Sequence, residues 1–153
     1  MPPNISDPAE APPALLAIHR LTDLSVSDFS KEASLEPYAG DLASLVRHLE
    51  TVGPGTVGVA DSSGRWTMPT RGPLDTAWLA GVLEAAGASV AYEHDIEEVA
   101  AGVAGGHVAF LLAPIPIQEV VDAALAGRVM PPKSTLFWPK PRTGLLLRDQ
   151  RLG

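Results

Sequence analysis

At 153 residues and 16.0 kDa, with 46% hydrophobic and 19% charged residues, the chain has material for one globular domain with a modest core. Eighteen acidic against eleven basic side chains give a formal charge of -7, which argues against non-specific binding to nucleic acid or anionic lipid. The absence of cysteine excludes a disulfide scaffold, a thiol nucleophile and cysteine-ligated metal.

Residues 1–13 hold five prolines and little to bury, so a disordered leader is expected there, followed by a single α/β domain over 14–150. The opening ten residues lack the basic and apolar regions of a signal peptide, and no apolar run is long enough to span a bilayer. The expectation is a soluble cytoplasmic protein that uses neither a membrane nor nucleic acid. Ala14-Leu-Leu-Ala-Ile18 predicts a short strand ending at His19-Arg20. Residues 21–39 lack a sustained period and suit a loop or a short helix. Asp41–Glu50 predicts a helix with Leu42, Leu45, Val46 and Leu49 on one face, stopped by Gly53-Pro54-Gly55.

Thr56–Ala60 and Arg65–Met68, joined by Asp61-Ser-Ser-Gly64, predict a β-hairpin. A second helix opens at Leu74 or Asp75, buries Leu79, Val82, Leu83 and Ala86, and closes at Gly87. Ser89–Glu93 reads as a strand, and Asp95 caps a helix through Val103, with Glu97 and Glu98 in its first turn. His107–Leu112, the most apolar segment, is the expected central strand. Pro116 then starts a helix whose buried stripe is expected to be Ile117, Val120, Val121, Ala124 and Leu125, ending at Gly127. If that stripe packs on the sheet, Leu125→Ala costs on the order of 2–4 kcal/mol. Thr135–Trp138 and Gly144–Leu147 are the last expected strands. The fold class is α/β or α+β: a mixed β-sheet with helices packed on at least one face, including one β-hairpin.

The charge is unevenly spread. Residues 1–120 carry five basic and sixteen acidic groups, whereas 121–153 carry six basic and two acidic. Between Arg128 and Arg148 stand Lys133, Lys140 and Arg142 with no acidic residue. Lys133 neighbours the hydroxyls of Ser134 and Thr135, and flanking prolines stiffen the loop. Charge plus directional donors suit a phosphate or carboxylate, so Lys133, Ser134, Thr135, Lys140 and Arg142 form the candidate anion site. Gly127–Ser134 approaches a nucleotide-binding P-loop in spacing, but Pro131 and Pro132 remove two of the N–H groups such a loop needs, and a strand follows in place of a helix. The P-loop is rejected.

Among the histidines, His19-Arg20 can supply a base and an anion clamp and is kept as an accessory pair. Glu93-His94-Asp95 places three metal-ligand types in a row, but neighbours in a strand point apart and Asp95 serves as a cap, so no metal is expected. His107 reads as a hydrogen-bonded structural residue and His48 as part of a polar helix face. No nucleophile elbow, zinc pair or dinucleotide fingerprint occurs, and no catalytic residue or cofactor is assigned. Trp66, Trp78 and Trp138 are too scattered to form a base-stacking platform.

The segment MPPKSTLFWPKPRTGLLLRD resembles the C-terminal signature of the bacterial family catalogued as domain of unknown function 1015. GPLDTAWLAGVLEAAG, VAYEHDIEEVAAGVAGG and VAFLLAPIPIQEVVDAALAGRVM resemble its preceding blocks in order, and LLAIHR an earlier one. Family members are usually more than twice as long, with an N-terminal Asp-Gly-His-His-Arg-Tyr block similar to motifs of phosphate-handling folds. This sequence has no such block. The resemblance implies the C-terminal half alone, without that chemistry. Two functions follow: a non-catalytic small-anion or partner-binding module using the basic loop, or the accessory half of a phosphotransferase or hydrolase acting on a small phosphorylated metabolite. The expected partners are a second copy in a homodimer, a separately encoded N-terminal half, and a small phosphate or carboxylate ligand.

Overall fold

A computed structural model describes residues 14–29, 34–72 and 74–138. The expected 1–13 leader, the Gly144–Leu147 strand, Lys140 and Arg142 lie outside them. In chain order the elements are β1 (Ala14–Ala17), β2 (His19–Thr22), α1 (Val26–Phe29), β3 (Glu36–Pro37), α2 (Leu42–Val52), β4 (Thr56–Ala60), β5 (Arg65–Pro69), α3 (Asp75–Ala85), β6 (Val90–Glu93), α4 (Ile96–Ala104), β7 (Val108–Leu111), α5 (Ile117–Leu125) and β8 (Thr135–Trp138). Six strands form one sheet in the order β3-β5-β4-β7-β2-β6, while β1 and β8 form a separate pair. The α and β class expected from sequence is what the structure shows, and every described strand pair runs antiparallel.

Strand alternation divides the interior in two. Val57 and Val59 of β4, Met68 of β5, and Val108 and Phe110 of β7 face Phe29 of α1 and Leu79 and Leu83 of α3. Ala60, Ala109 and Leu111 face Leu45 and Leu49 of α2 and Val99 and Val103 of α4. Helices therefore cover both faces. All four residues of β7 are buried, as its unbroken apolar run and central position require. Phe29 meets Phe110 edge to face, with ring centroids 5.0 Å apart. At Gly58 a Cβ would stand 3.0 Å from Leu49 Cδ1, 3.1 Å from Leu45 Cδ2 and 3.2 Å from Leu111 Cβ, so the glycine lets α2 approach the sheet.

Local signals set the helix limits. Asp41 accepts from the Ser44 N–H at 2.7 Å, and Asp95 accepts from the Glu97 N–H at 2.9 Å, each capping its helix. Gly127 has φ 66°, and the Gly127 and Arg128 N–H groups return to the Ala124 and Ala123 carbonyls to close α5. The segment expected to be one strand through Arg20 is broken at Ile18, so β1 joins β8 whereas β2 enters the main sheet.

The face expected to be buried on α5 is corrected by the structure. Ile117, Val121 and Leu125 are 58%, 42% and 83% exposed, and Val129 beyond the helix is 95% exposed. The half-buried positions are Glu119, Val120 and Ala123. Spacing identifies an apolar stripe but not the side on which it finds cover, and both faces of β7 are already occupied by the two cores. Among the described residues no helix is long and apolar enough to cross a membrane.

Candidate functional site

The basic segment enters the described structure as a turn at 131–134 followed by β8. Lys133 is the only described non-glycine residue with positive φ, at 60°, and its side chain is exposed. Ser134 is turned inward. It is 7% exposed, and its hydroxyl donates to the Pro131 carbonyl at 2.6 Å and lies 3.3 Å from Thr76 Oγ1 on α3. That hydroxyl joins the loop to α3 and has protein partners of its own. Thr135 is half-buried in β8, opposite Ala17. The strand after Lys133 agrees with rejecting a P-loop, which needs a helix there.

His19 and Arg20, paired as accessories in the sequence reading, are separated by the sheet. They are adjacent residues of β2, so their side chains leave opposite faces. Arg20 stands on the α3 face, between Tyr92 of β6 and Phe110 of β7 in the sheet register. It is 4% exposed, with its guanidinium 5.1 Å from the centroid of the Tyr92 ring. Nη1 donates to the Ile18 carbonyl and Nη2 to the Lys133 carbonyl at 3.0 Å. Burial lowers its pKa from the ordinary value, and Tyr92 opposes that shift.

His19 lies on the α2–α4 face, opposite Glu93. Its Nδ1 accepts the Leu112 N–H at 3.2 Å, which fixes a neutral ring carrying its proton on Nε2. Burial, then the charge of Arg20, push its pKa down to about 4; Glu93 raises it and His94 adds to the lowering. A cavity of about 310 Å³ borders His19, with Glu50, His94 and Asp95 also on its wall. These acids and imidazoles are largely engaged locally. Glu93 accepts the His94 and Asp95 N–H groups at 2.9 and 3.0 Å and stands 3.5 Å from His94 Nδ1. Among the described residues no three His, Asp or Glu side chains are grouped to hold a metal ion.

The remaining histidines have structural contacts. His107 Nδ1 is 3.2 Å from the Gly102 carbonyl, and His48 lies 5.4 Å from the Tyr38 ring.

No family model, curated protein or solved structure matches this chain.

The structure thus brings Arg20 to the Lys133–Ser134 turn and takes His19 away from it. The link is a guanidinium holding a backbone carbonyl, which positions the turn without using the lysine charge. Thr76 is the residue sequence reasoning missed, because its tie to Ser134 spans 58 positions and has no local signal. The opposed faces of His19 and Arg20 were legible in principle. Once β2 is extended through Leu21 and Thr22, alternation requires them.

Proposed function

We propose that the chain is a non-catalytic binding module that associates with a second copy of itself through the outward face of α5. The observation that carries this reading is the exposure of Ile117, Val121 and Leu125, spaced four residues apart along α5, with exposed Val129 just beyond its end. Full burial of one such side chain is worth roughly 1.5–3 kcal/mol, so leaving four in water is a considerable loss that pairing recovers. The even spacing suits a two-fold axis near Val121, with antiparallel helices setting Ile117 of each copy against Leu125 of the other. Antiparallel alignment also opposes the two helix dipoles.

Sedimentation equilibrium from low micromolar to millimolar concentration tests this. The wild type is expected to rise from 16.0 kDa towards twice that mass, whereas Leu125→Glu stays at 16.0 kDa and matches the wild-type melting temperature in dilute solution, where both are monomers. A wild-type mass of 16.0 kDa across the whole range overturns the reading. Self-association is expected to be unchanged in Lys133→Ala, because the turn's contacts are to Arg20, Thr76 and Pro131 rather than to Ile117, Val121 or Leu125.

A further inference from the structure

We infer that the cavity beside Arg20 is a binding site for a small organic monocarboxylate, with Arg20 as its anchor. The cavity holds about 310 Å³, and its wall includes Arg20, Leu83, Glu84, Tyr92, Pro131 and Pro132. That volume is at the lower end of small-molecule sites, enough for a carboxylate with one ring or a branched aliphatic body.

The first argument is the state of the arginine. Charged side chains as buried as Arg20 are ordinarily paired, because an uncompensated charge in the interior is expensive. Among the described residues the one ion contact is His94 with Glu93, on the other face of the sheet, and no carboxylate lies within ion-pair range of Arg20. Its described hydrogen-bond partners are two backbone carbonyls, which are neutral and take two of the five guanidinium N–H groups. They also fix the orientation of the group, so a ligand has no rotamer to freeze at the anchor.

The second argument is the chemistry of the wall. Leu83 is buried, Tyr92 covers the guanidinium with its ring, and the two prolines offer no backbone N–H to an anion. An apolar body fits this surface, and a fully oxygenated anion finds few donors on it. Glu84, an exposed residue of the wall, places there a negative charge that repels a dianion more than a monoanion. One carboxylate can satisfy Arg20 in bidentate fashion; phosphate meets the same arginine but is penalised by Glu84 and the dry wall.

The test uses the full chain, with benzoate, its neutral isostere benzamide, and inorganic phosphate as probes, followed by amide chemical shifts. Benzoate is expected to move the resonances of Arg20, Glu84, Tyr92 and Lys133, with benzamide at least about tenfold weaker and phosphate weaker than benzoate. Because Arg20→Ala alters a buried position, the informative variants are exposed ones on α3. Ala80→Glu puts a carboxylate on the wall of the same cavity and is expected to reduce benzoate affinity at least about tenfold. Glu84→Gln is expected to strengthen phosphate binding more than benzoate binding, because repulsion by the wall carboxylate grows with the charge of the ligand. Four results overturn the assignment: no shift at these residues in tens of millimolar benzoate, equal binding of benzamide, phosphate binding as tightly as benzoate, or benzoate affinity unchanged in Ala80→Glu. Unchanged phosphate affinity in Glu84→Gln overturns the selectivity assigned to Glu84.

Discussion

Acidification is expected to weaken the fold through His19. Its imidazole titrates at about 4 in the folded protein against the ordinary 6.5, because burial and Arg20 disfavour the cation and Glu93 only partly offsets them. Glu50, His94 and Asp95 share its cavity, and none supplies a hydrogen bond that holds the ring charged. The unfolded chain therefore takes up the proton first. Stability is full above pH 6.5, declines as pH falls towards 4, and is down by about 3 kcal/mol at that point. Integrating the same linkage to pH 5 gives a loss of about 2 kcal/mol. Urea denaturation at pH 7.5 and pH 5.0 measures it, and His19→Asn provides the control. Asparagine offers an acceptor to the Leu112 N–H without titrating. The wild type is expected to lose about 2 kcal/mol more than His19→Asn between the two pH values. A difference below about 0.5 kcal/mol, or a His19 ring titrating near 6.5 by NMR, refutes the reasoning.

Leu83→Ala and Leu125→Ala provide a matched pair: the first is expected to cost about 2–5 kcal/mol and the second less than about 0.5 kcal/mol in dilute monomer, as read by denaturant midpoints. Gly58→Ala overpacks the contact of α2 with β4 and is expected to cost about 1–3 kcal/mol by the same measurement. Ser134→Ala removes the hydroxyl shared with Pro131 and Thr76 and is expected to lower stability by about 1–3 kcal/mol, with accelerated amide exchange in β8. Equal stability and unchanged exchange in Ser134→Ala would mean that the hydroxyl does not hold the turn.

The sequence made most of the fold legible where a local rule decided the outcome. Asp41 and Asp95 carry their own capping chemistry, and the Asp61–Gly64 turn dictates the β4–β5 hairpin, so these elements needed no tertiary information. β7 was legible as central because a run without polar residues has no wet face to present. α5 shows where this reasoning stops. Its stripe has helical period, but which side is covered depends on whether the sheet has room, and α3 and α4 already fill the faces beside β7. The basic loop was legible only in part for a related reason: composition reveals the charge of Lys133, whereas the hold of Arg20 on its carbonyl joins positions 113 apart. Arg20 itself gave little warning, since a buried cation without a carboxylate runs against the usual preference of charged residues for water.

The pairing of β1 with β8 has a kinetic meaning. Ala14 faces Trp138 across that two-stranded sheet, so closing it fixes a loop nearly as long as the described chain for the sake of four paired positions. Loop-closure entropy makes such a contact late to form, after the β4–β5 hairpin, whose partners are separated by a short turn. By the same measure it is early to open under native conditions, as a sub-global fluctuation that leaves the six-stranded sheet intact. The turn at 131–134 leads directly into β8 and roofs the Arg20 cavity through Pro131 and Pro132. Opening of the β1–β8 pair therefore loosens the segment that carries Pro131 and Pro132, which form part of the wall of the Arg20 cavity.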